Sequence, residues 1–158
     1  ILTEMVFAAR DARPLISWPG GEVRRHREQL YALVPRPDLD PELEIPWPVG
    51  QAELAIPTAG RLALEAVSGE GLTAARVRAG ELKVRLRRGG ERFRPRGRHH
   101  GQSLKKLLQE ADIPPWERSR LPLLYLDGEL AWVPGLGVAA QLTAAEGEAG
   151  LLPVWISR

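Results

Sequence analysis

Prolines crowd one short segment of this chain and limit what that segment can fold into. Five of the fourteen residues from 35 to 48 are proline. Proline has no backbone N–H and fixes its own φ angle, so neither a helix interior nor a central strand suits the segment. We therefore expect a linker, or an extended segment along the edge of a sheet, and place a domain boundary there. The boundary separates an N-terminal part, residues 1–36, from a C-terminal domain, residues 37–158.

Short apolar runs separated by turn residues predict a β-rich fold of the α+β class. Residues 2–11 are typical of the end of a helix, and residues 13–34 of a small antiparallel meander. The Asp127-Gly128 pair is favoured in the type I′ turn of a hairpin. We expect the C-terminal domain to be a sandwich or barrel with one main helix. Its predicted strands cover residues 52–56, 61–67, 72–77, 80–88, 121–126, 129–133, 136–142 and 152–156, with one or two helical turns at 115–120.

Positive charge is concentrated in one block, residues 76–108. This basic block holds twelve Lys or Arg residues and two acids, Glu81 and Glu91, for a net charge of +10, whereas the whole chain carries only +2. A localised positive field suits a polyanion such as RNA or DNA better than a small substrate. A solvated basic face with no partner is the alternative explanation of the same pattern.

The order of residues inside the basic block predicts a strand, a loop and a helix. Apolar and basic residues alternate from Leu82 to Arg87, so the apolar ones would face a core and the basic ones water. A loop rich in Gly and Arg follows over residues 88–101, and Ser103 suits the N-cap of a helix. Apolar residues then recur at helical spacing. They are Leu104, Leu107, Leu108 and Ala111.

The outward side chains of the basic block are the candidate RNA contacts. Arginine and lysine would contact phosphates, and the two adjacent histidines would reach phosphate or stack on sugar. The candidates are Arg85, Arg87, Arg88, Arg92, Arg94, Arg96, Arg98, His99, His100, Ser103, Lys105, Lys106 and Gln109.

No pattern of a catalytic or metal centre is found. The sequence has no phosphate-binding loop of the GxxxxGK[ST] type and no cysteine. His99 and His100 could bind a metal, but no acidic or Cys partner lies at a ligand spacing, so we expect neither metal nor cofactor. Ser103 lacks a nearby base and fits a helix cap better than a nucleophile. We also expect no membrane contact and, because the chain begins with Ile1, a piece of a longer protein.

A series of short motifs between residues 90 and 138 indicates one family. The motifs are Arg92-x-Arg94-Pro95, Ser103-Leu104-Lys105-Lys106 with Gln109-Glu110, Pro114-Pro115-Trp116-x-Arg118, Leu121-Pro122-Leu123-Leu124 and Val133-x-Gly135. In this order and spacing they resemble the C-terminal domain of bacterial tRNA(Ile)-lysidine synthetases. Upstream, residues 21–25 and Leu30-Tyr31 look like the end of that family's substrate-recognition domain.

This resemblance implies a part in tRNA modification. The family uses ATP to adenylate the wobble cytidine of tRNA(Ile) and then joins lysine to it, forming lysidine. Catalysis belongs to an N-terminal domain with an SGGxDS loop, a motif that this chain lacks, so ATP and Mg²⁺ would belong to that partner domain. The family's C-terminal domain grips the acceptor stem and is similar in fold to a domain of the phenylalanyl-tRNA synthetase β subunit. We therefore expect a cytoplasmic tRNA-binding module that is not catalytic alone.

Two other functions fit parts of the sequence. A protein-interaction or dimerisation module would use the acidic flanks of the basic block and exposed strand edges. A small RNA-processing enzyme would use His99 or His100. Sedimentation with and without tRNA distinguishes the first alternative from the tRNA-binding module, and an RNA cleavage assay tests the second.

Overall fold

A computed structural model describes residues 15–158, and the helix end predicted at residues 2–11 lies outside them. The chain divides after Asp38 into two compact units. The described part of the first unit contains β1 (Leu15–Trp18), β2 (Gly21–His26) and β3 (Gln29–Leu33). These strands pair antiparallel in the order β1-β2-β3, which confirms the predicted meander.

The second unit, Leu39–Arg158, is mostly β-sheet with few helices, as predicted. Its strands are β4 (Glu44–Trp47), β5 (Glu53–Ile56), β6 (Gly60–Ser68), β7 (Leu72–Thr73), β8 (Leu82–Arg85), β9 (Arg92–Phe93), β10 (Gln102–Ser103), β11 (Leu123–Leu126), β12 (Glu129–Val133), β13 (Gly137–Val138) and β14 (Ala149–Ser157). Its helices are α1 (Ala74–Ala79), α2 (Leu104–Glu110) and α3 (Pro115–Arg118), and a 3₁₀ turn covers Ala140–Leu142.

These strands form two antiparallel sheets and one short ribbon. Five strands pair in the order β13-β12-β11-β8-β4, four pair in the order β5-β6-β14-β7, and β9 pairs with β10. Both sheets are open, so the described strands do not close into a barrel. Between β11 and β12, Asp127 and Gly128 have φ angles of 51° and 79°, as the predicted type I′ turn requires.

One hydrophobic core joins the two sheets and the helices of the second unit. Side chains with no exposed surface come from the four-stranded sheet (Leu62, Leu72), from the five-stranded sheet (Val84, Leu123) and from α2 (Leu104). Fully burying one large aliphatic side chain is worth about 1.5–3 kcal/mol. The basic block is therefore held by a core to which its own strand and helix contribute.

Helix α1 was not expected, because residues 72–77 were predicted to be a strand. Only Leu72 and Thr73 pair as a strand, and the chain then turns into a helix. The helical residues Ala-Ala-Arg-Val-Arg-Ala have high helix propensity, and Ala74 and Val77 lie three apart on its buried side. The strand prediction for residues 74–77 is therefore wrong, and their helix propensity explains the helix.

The proline-rich segment agrees with the second of its two predicted alternatives, an extended edge segment, since Pro46 lies in edge strand β4 opposite Lys83. Two further expectations are corrected by the structure. Residues 136–142 form a two-residue strand and a 3₁₀ turn instead of one strand. Ala111 is the exposed C-cap of α2, so it does not continue the apolar face of the helix.

Candidate nucleic-acid interface

Strand β8 has the predicted alternation, but its basic side chains are not free. Leu82 and Val84 are buried, as expected. Lys83, Arg85 and Arg87, expected to face water, are only partly exposed. Burial in this sheet therefore limits how far the basic residues of the strand reach outward.

An acidic side chain of the neighbouring strand β4, Glu44, explains why these basic side chains are not free. Glu44 lies 3.4 Å from Lys83 Nζ, 3.3 Å from Arg85 Nε and 3.5 Å from Arg88 Nη2. Glu81 and Glu42 add further ion pairs, at 3.1 Å to Lys83 and 3.9 Å to Arg88. Much of the positive charge at this strand is therefore neutralised within the protein.

The pKa values of this cluster agree with its geometry. The pKa of Glu44 is lowered, first by the hydrogen bond from Lys83; desolvation opposes this, and the charges of Arg85, Lys83 and Arg88 lower the pKa further. The pKa of Lys83 is raised, first by its hydrogen bond to Glu81 and then by that to Glu44. Both groups therefore stay ionised around neutral pH.

Two arginines of this region carry unsatisfied buried nitrogens. Arg85 Nε is near Glu44 but has no aligned hydrogen-bond acceptor among the described residues, and neither has Arg87 Nε. The guanidinium of Arg85 also stacks over the Tyr125 ring, 4.7 Å from its centre. That Arg85, Arg87 and Arg88 contact RNA stays a prediction, and the ion pairs make Arg85 and Arg88 weaker candidates than their sequence positions indicated.

The predicted loop at 88–101 is partly ordered into a ribbon. Arg92 pairs with Ser103 and Phe93 with Gln102, so the loop is closed at its base by strands β9 and β10. Phe93 is buried in the core, and the Arg92 guanidinium donates to the carbonyl of Gly101 at 3.1 Å. The exposed tip of the loop thus lies on an anchored base.

Backbone hydrogen bonds hold the rest of the loop. Arg96 N–H donates to Val138 O at 3.1 Å, and Ala140 N–H donates to Arg94 O at 2.9 Å. At the start of the loop, the Glu91 carboxylate accepts from the N–H groups of Arg88 and Gly89 at 2.8 and 3.1 Å. The exposed residues Arg96, Arg98, His99 and His100 are therefore presented from a fixed frame.

Helix α2 follows the ribbon in the predicted orientation. The Ser103 hydroxyl accepts from Lys106 N–H at 3.3 Å, so Ser103 is the N-cap. Leu104, Leu107 and Leu108 are buried, while Lys105 and Lys106 are exposed. Because its leucines occupy the core, the helix has to present its lysines to solvent.

Loop and helix lie side by side. Arg92 is paired with the cap residue Ser103, and Arg98 reaches the last residue of the helix, Glu110, at 3.5 Å. We call the exposed set formed by this loop and helix the loop–helix patch. It consists of Arg92, Arg94, Arg96, Arg98, His99, His100, Lys105 and Lys106, of which Arg94 is half-buried.

Most cations of the loop–helix patch lack an acidic partner. Within residues 15–158, Arg98 pairs with Glu110, but Arg94, Arg96, Lys105 and Lys106 form no ion pair. Gln109 is exposed at the far end of α2 and takes part in other contacts. The structure thus brings together the loop and helix candidates. It places the strand candidates Arg85 and Arg88 in the Glu44 cluster, the ion pairs that join Glu42, Glu44 and Glu81 to Lys83, Arg85 and Arg88.

Sequence reasoning missed the acids of the Glu44 cluster and the cations of α1. Glu42 and Glu44 lie some forty residues before the arginines they contact, and no local pattern links them. Arg76 and Arg78 belong to the basic block but are not among the predicted RNA contacts. The Ala-rich composition around them was the signal for an exposed helical face.

Other kinds of site find little support in the described residues. No three His, Asp or Glu side chains of residues 15–158 gather as a metal site would require. None of the helices in the described region has the length and apolar character needed to cross a membrane.

Two family models match the chain. Residues 82–155 match the TilS substrate C-terminal domain, and residues 1–31 match the TilS substrate binding domain. A solved structure described as "Crystal structure of TILS C-terminal domain" is similar, with a TM-score of 0.58 and 28% identity over 73% of this chain and 96% of that chain. The predicted likeness to the phenylalanyl-tRNA synthetase β subunit stays a prediction.

Two similar proteins from bacteria carry the same name. The tRNA(Ile)-lysidine synthase of Methylococcus capsulatus is 40% identical over 135 residues, covering 85% of this chain and 30% of that protein. The tRNA(Ile)-lysidine synthase of Alkalilimnicola ehrlichii is 35% identical over 153 residues, covering 92% of this chain and 33% of that protein. The chain thus spans about a third of the length of these relatives.

Proposed function

Because the chain belongs to the tRNA(Ile)-lysidine synthase family, we propose that its second unit holds the acceptor stem of tRNA(Ile) while a separate catalytic domain attaches lysine to the wobble cytidine. The observation that carries this proposal is the loop–helix patch. Its cations stand out from an anchored ribbon and a capped helix, and Arg96, Lys105 and Lys106 have no acidic partner among the described residues.

Duplex RNA suits such a surface. An A-form stem exposes phosphates and 2′-hydroxyls, and proteins hold it mainly by shape and backbone contacts rather than in a base-reading pocket. The loop–helix patch offers charges spread over a loop and a helix face. Its expected ligand is therefore the backbone of a stem, and its binding should be strongly salt-dependent.

The role proposed for this chain is binding and not catalysis. The sequence has no SGGxDS loop and no phosphate-binding loop of the GxxxxGK[ST] type. ATP and Mg²⁺ would accordingly be bound by the catalytic domain. Contacts far from the reacting base contribute mostly uniform binding, so this unit would lower the KM for tRNA more than it raises kcat.

A comparison of three RNAs tests the proposal. The 158-residue chain is titrated with whole tRNA(Ile), with a minihelix of its acceptor stem and with its anticodon stem-loop. We expect the first two to bind with similar affinity and the third to bind far more weakly at 0.15 M salt. Equal affinity for all three would indicate charge attraction alone, and preference for the anticodon stem-loop would refute the acceptor-stem assignment.

A further inference from the structure

Two segments of the second unit share a local pattern. Residues 71–77 read Gly-Leu-Thr-Ala-Ala-Arg-Val, and residues 101–107 read Gly-Gln-Ser-Leu-Lys-Lys-Leu. In both, glycine precedes two residues that pair as a short strand, and the second of these is a hydroxyl residue at a helix start. Helices α1 and α2 are therefore preceded by the same order of glycine, short strand and hydroxyl residue.

The match extends to the burial of each position. The residue directly after the hydroxyl residue is buried in both segments, as Ala74 and as Leu104. The fourth residue after the hydroxyl residue is buried too, as Val77 and as Leu107. The third residue after the hydroxyl is an exposed cation in both, Arg76 and Lys106. The cap contacts differ, because the Thr73 hydroxyl donates to Leu142 O while the Ser103 hydroxyl accepts from Lys106 N–H.

The two helices also lead into adjacent strands. Helix α1 is followed by β8, and α2 leads through α3 to β11. Strands β8 and β11 pair antiparallel, with Leu82 opposite Leu126 and Arg85 opposite Leu123. The first residues of these strands are thus about 10 Å apart along the sheet, at three residue steps of about 3.4 Å. The chain therefore enters the strand pair from opposite ends after the two helices.

Helix α1 is held firmly and carries free cations. Its end is fixed to the hairpin turn, since Glu81 N–H donates to the Asp127 carboxylate and Asp127 N–H donates to Glu81 O, each at 2.9 Å. Arg76 and Arg78 are exposed, and neither forms an ion pair within the described part of the chain. No acid on α1 opposes them. Unlike β8, this element leaves its charge available.

We propose that α1 is a second backbone-contacting surface for the same RNA stem, with Arg76 and Arg78 on its phosphates. The inference rests on the proposed function, because the stem is the ligand of both helices. The unit then holds duplex RNA at two places, through α2 with the neighbouring loop and through α1. Two separated contacts fix the orientation of a stem, whereas one patch leaves it free to pivot.

Charge-matched variants of the 158-residue chain test this. Arg76→Ala/Arg78→Ala removes two charges from α1, and Lys105→Ala/Lys106→Ala removes two from α2. Arg61→Ala/Arg158→Ala is the control, because both residues are exposed at the end of the four-stranded sheet. This end of the sheet is distant from the start of α1. Ser157 of β14 lies six residues, or about 20 Å along the strand, beyond Leu151, and Leu151 pairs with β7, the strand that directly precedes α1. Arg76→Lys/Arg78→Lys keeps the charge and serves as the rescue variant.

Binding of the acceptor minihelix is measured from 0.05 to 0.3 M salt, with melting temperature as a check on folding. We expect the α1 and α2 variants each to bind about fivefold or more weakly at 0.1 M salt and to lower the salt slope by about 1–2. The control and the Lys variant should stay near the unaltered chain. Hydroxyl-radical footprints should show two protected backbone regions, one lost in each Ala variant.

The results distinguish the proposed function, binding of the acceptor stem, from the inferred second contact surface on α1. If the α2 variant weakens binding and the α1 variant equals the control, α1 makes no contact and the inference is refuted while the proposed function stands. If the unaltered chain does not bind the minihelix, both are refuted. If the control loses as much affinity as the α1 variant, net charge explains the effect and the second surface is refuted.

Discussion

Adjacent residues of α2 should have opposite effects when they are replaced, because the helix separates stability from binding. Leu104 is fully buried, and its replacement by Ala leaves a cavity in the core shared by the two sheets. Such truncations cost about 2–5 kcal/mol. At about 4 °C for each kcal/mol in a domain of this size, the melting temperature should fall by about 8–20 °C.

Replacing the neighbouring lysines should weaken RNA binding and leave the stability nearly unchanged. Lys105 and Lys106 are exposed and form no ion pair among the described residues, so replacing both by Ala should change stability by no more than about 0.5 kcal/mol each. Losing two phosphate contacts should lower the magnitude of the slope of log K against log salt by about 1–2. The affinity for tRNA(Ile) falls accordingly.

Two assays on the same preparations check both statements. Circular dichroism melts give the stability, and filter binding at several salt concentrations gives the slope. For Leu104→Ala, binding is measured well below its lowered melting temperature, where it should match the unaltered chain. A Lys variant that melts early but binds tRNA normally would show that the binding surface lies elsewhere, and would refute the division of roles within α2.

Three further predictions concern other parts of the chain. Incubated with ATP, labelled lysine and tRNA(Ile), the 158-residue chain should incorporate no lysine, since its sequence lacks an ATP loop; clear incorporation would overturn the assignment of catalysis to another domain. Because the folded-state pKa of Glu44 is lowered, its ion pairs stabilise the fold above the usual carboxyl range and are lost as pH falls through the lowered value. Glu44→Gln should therefore lower the melting temperature at pH 7, and this difference should shrink as the pH falls below the usual carboxyl range; a difference that does not change with pH would contradict this. Gly71→Ala should cost about 1–3 kcal/mol in urea unfolding, because Gly71 has a φ of +71° and an added Cβ would lie 2.6 Å from Leu151 O; an unchanged midpoint would show that the backbone relaxes freely.

The parts of the fold that the sequence predicts are those with a local signal. The cap at Ser103 and the leucines after it define α2, the Asp127-Gly128 turn defines the hairpin, and alternation defines the buried face of β8. Each signal is confined to a few neighbouring residues. Such patterns are strong because a helix or hairpin satisfies its hydrogen bonds over short distances.

The parts that escape sequence analysis depend on distant pairing. Strand β4 lies in a proline-rich segment and pairs with β8 from about forty residues away, and this pairing brings Glu44 to Lys83 and Arg85. A count of charges along the sequence treats those cations as available. The sheet order places β4 beside β8 and so shows that a neighbouring strand neutralises them.

The two edges of the five-stranded sheet have a consequence for the protein in concentrated solution. One edge, β13, is two residues long, and the other, β4, contains Pro46, which has no N–H to offer an incoming strand. Short edge strands and edge prolines are two means by which proteins prevent sheets from pairing edge to edge. This sheet is therefore a poor template for fibrils or for strand-exchanged dimers.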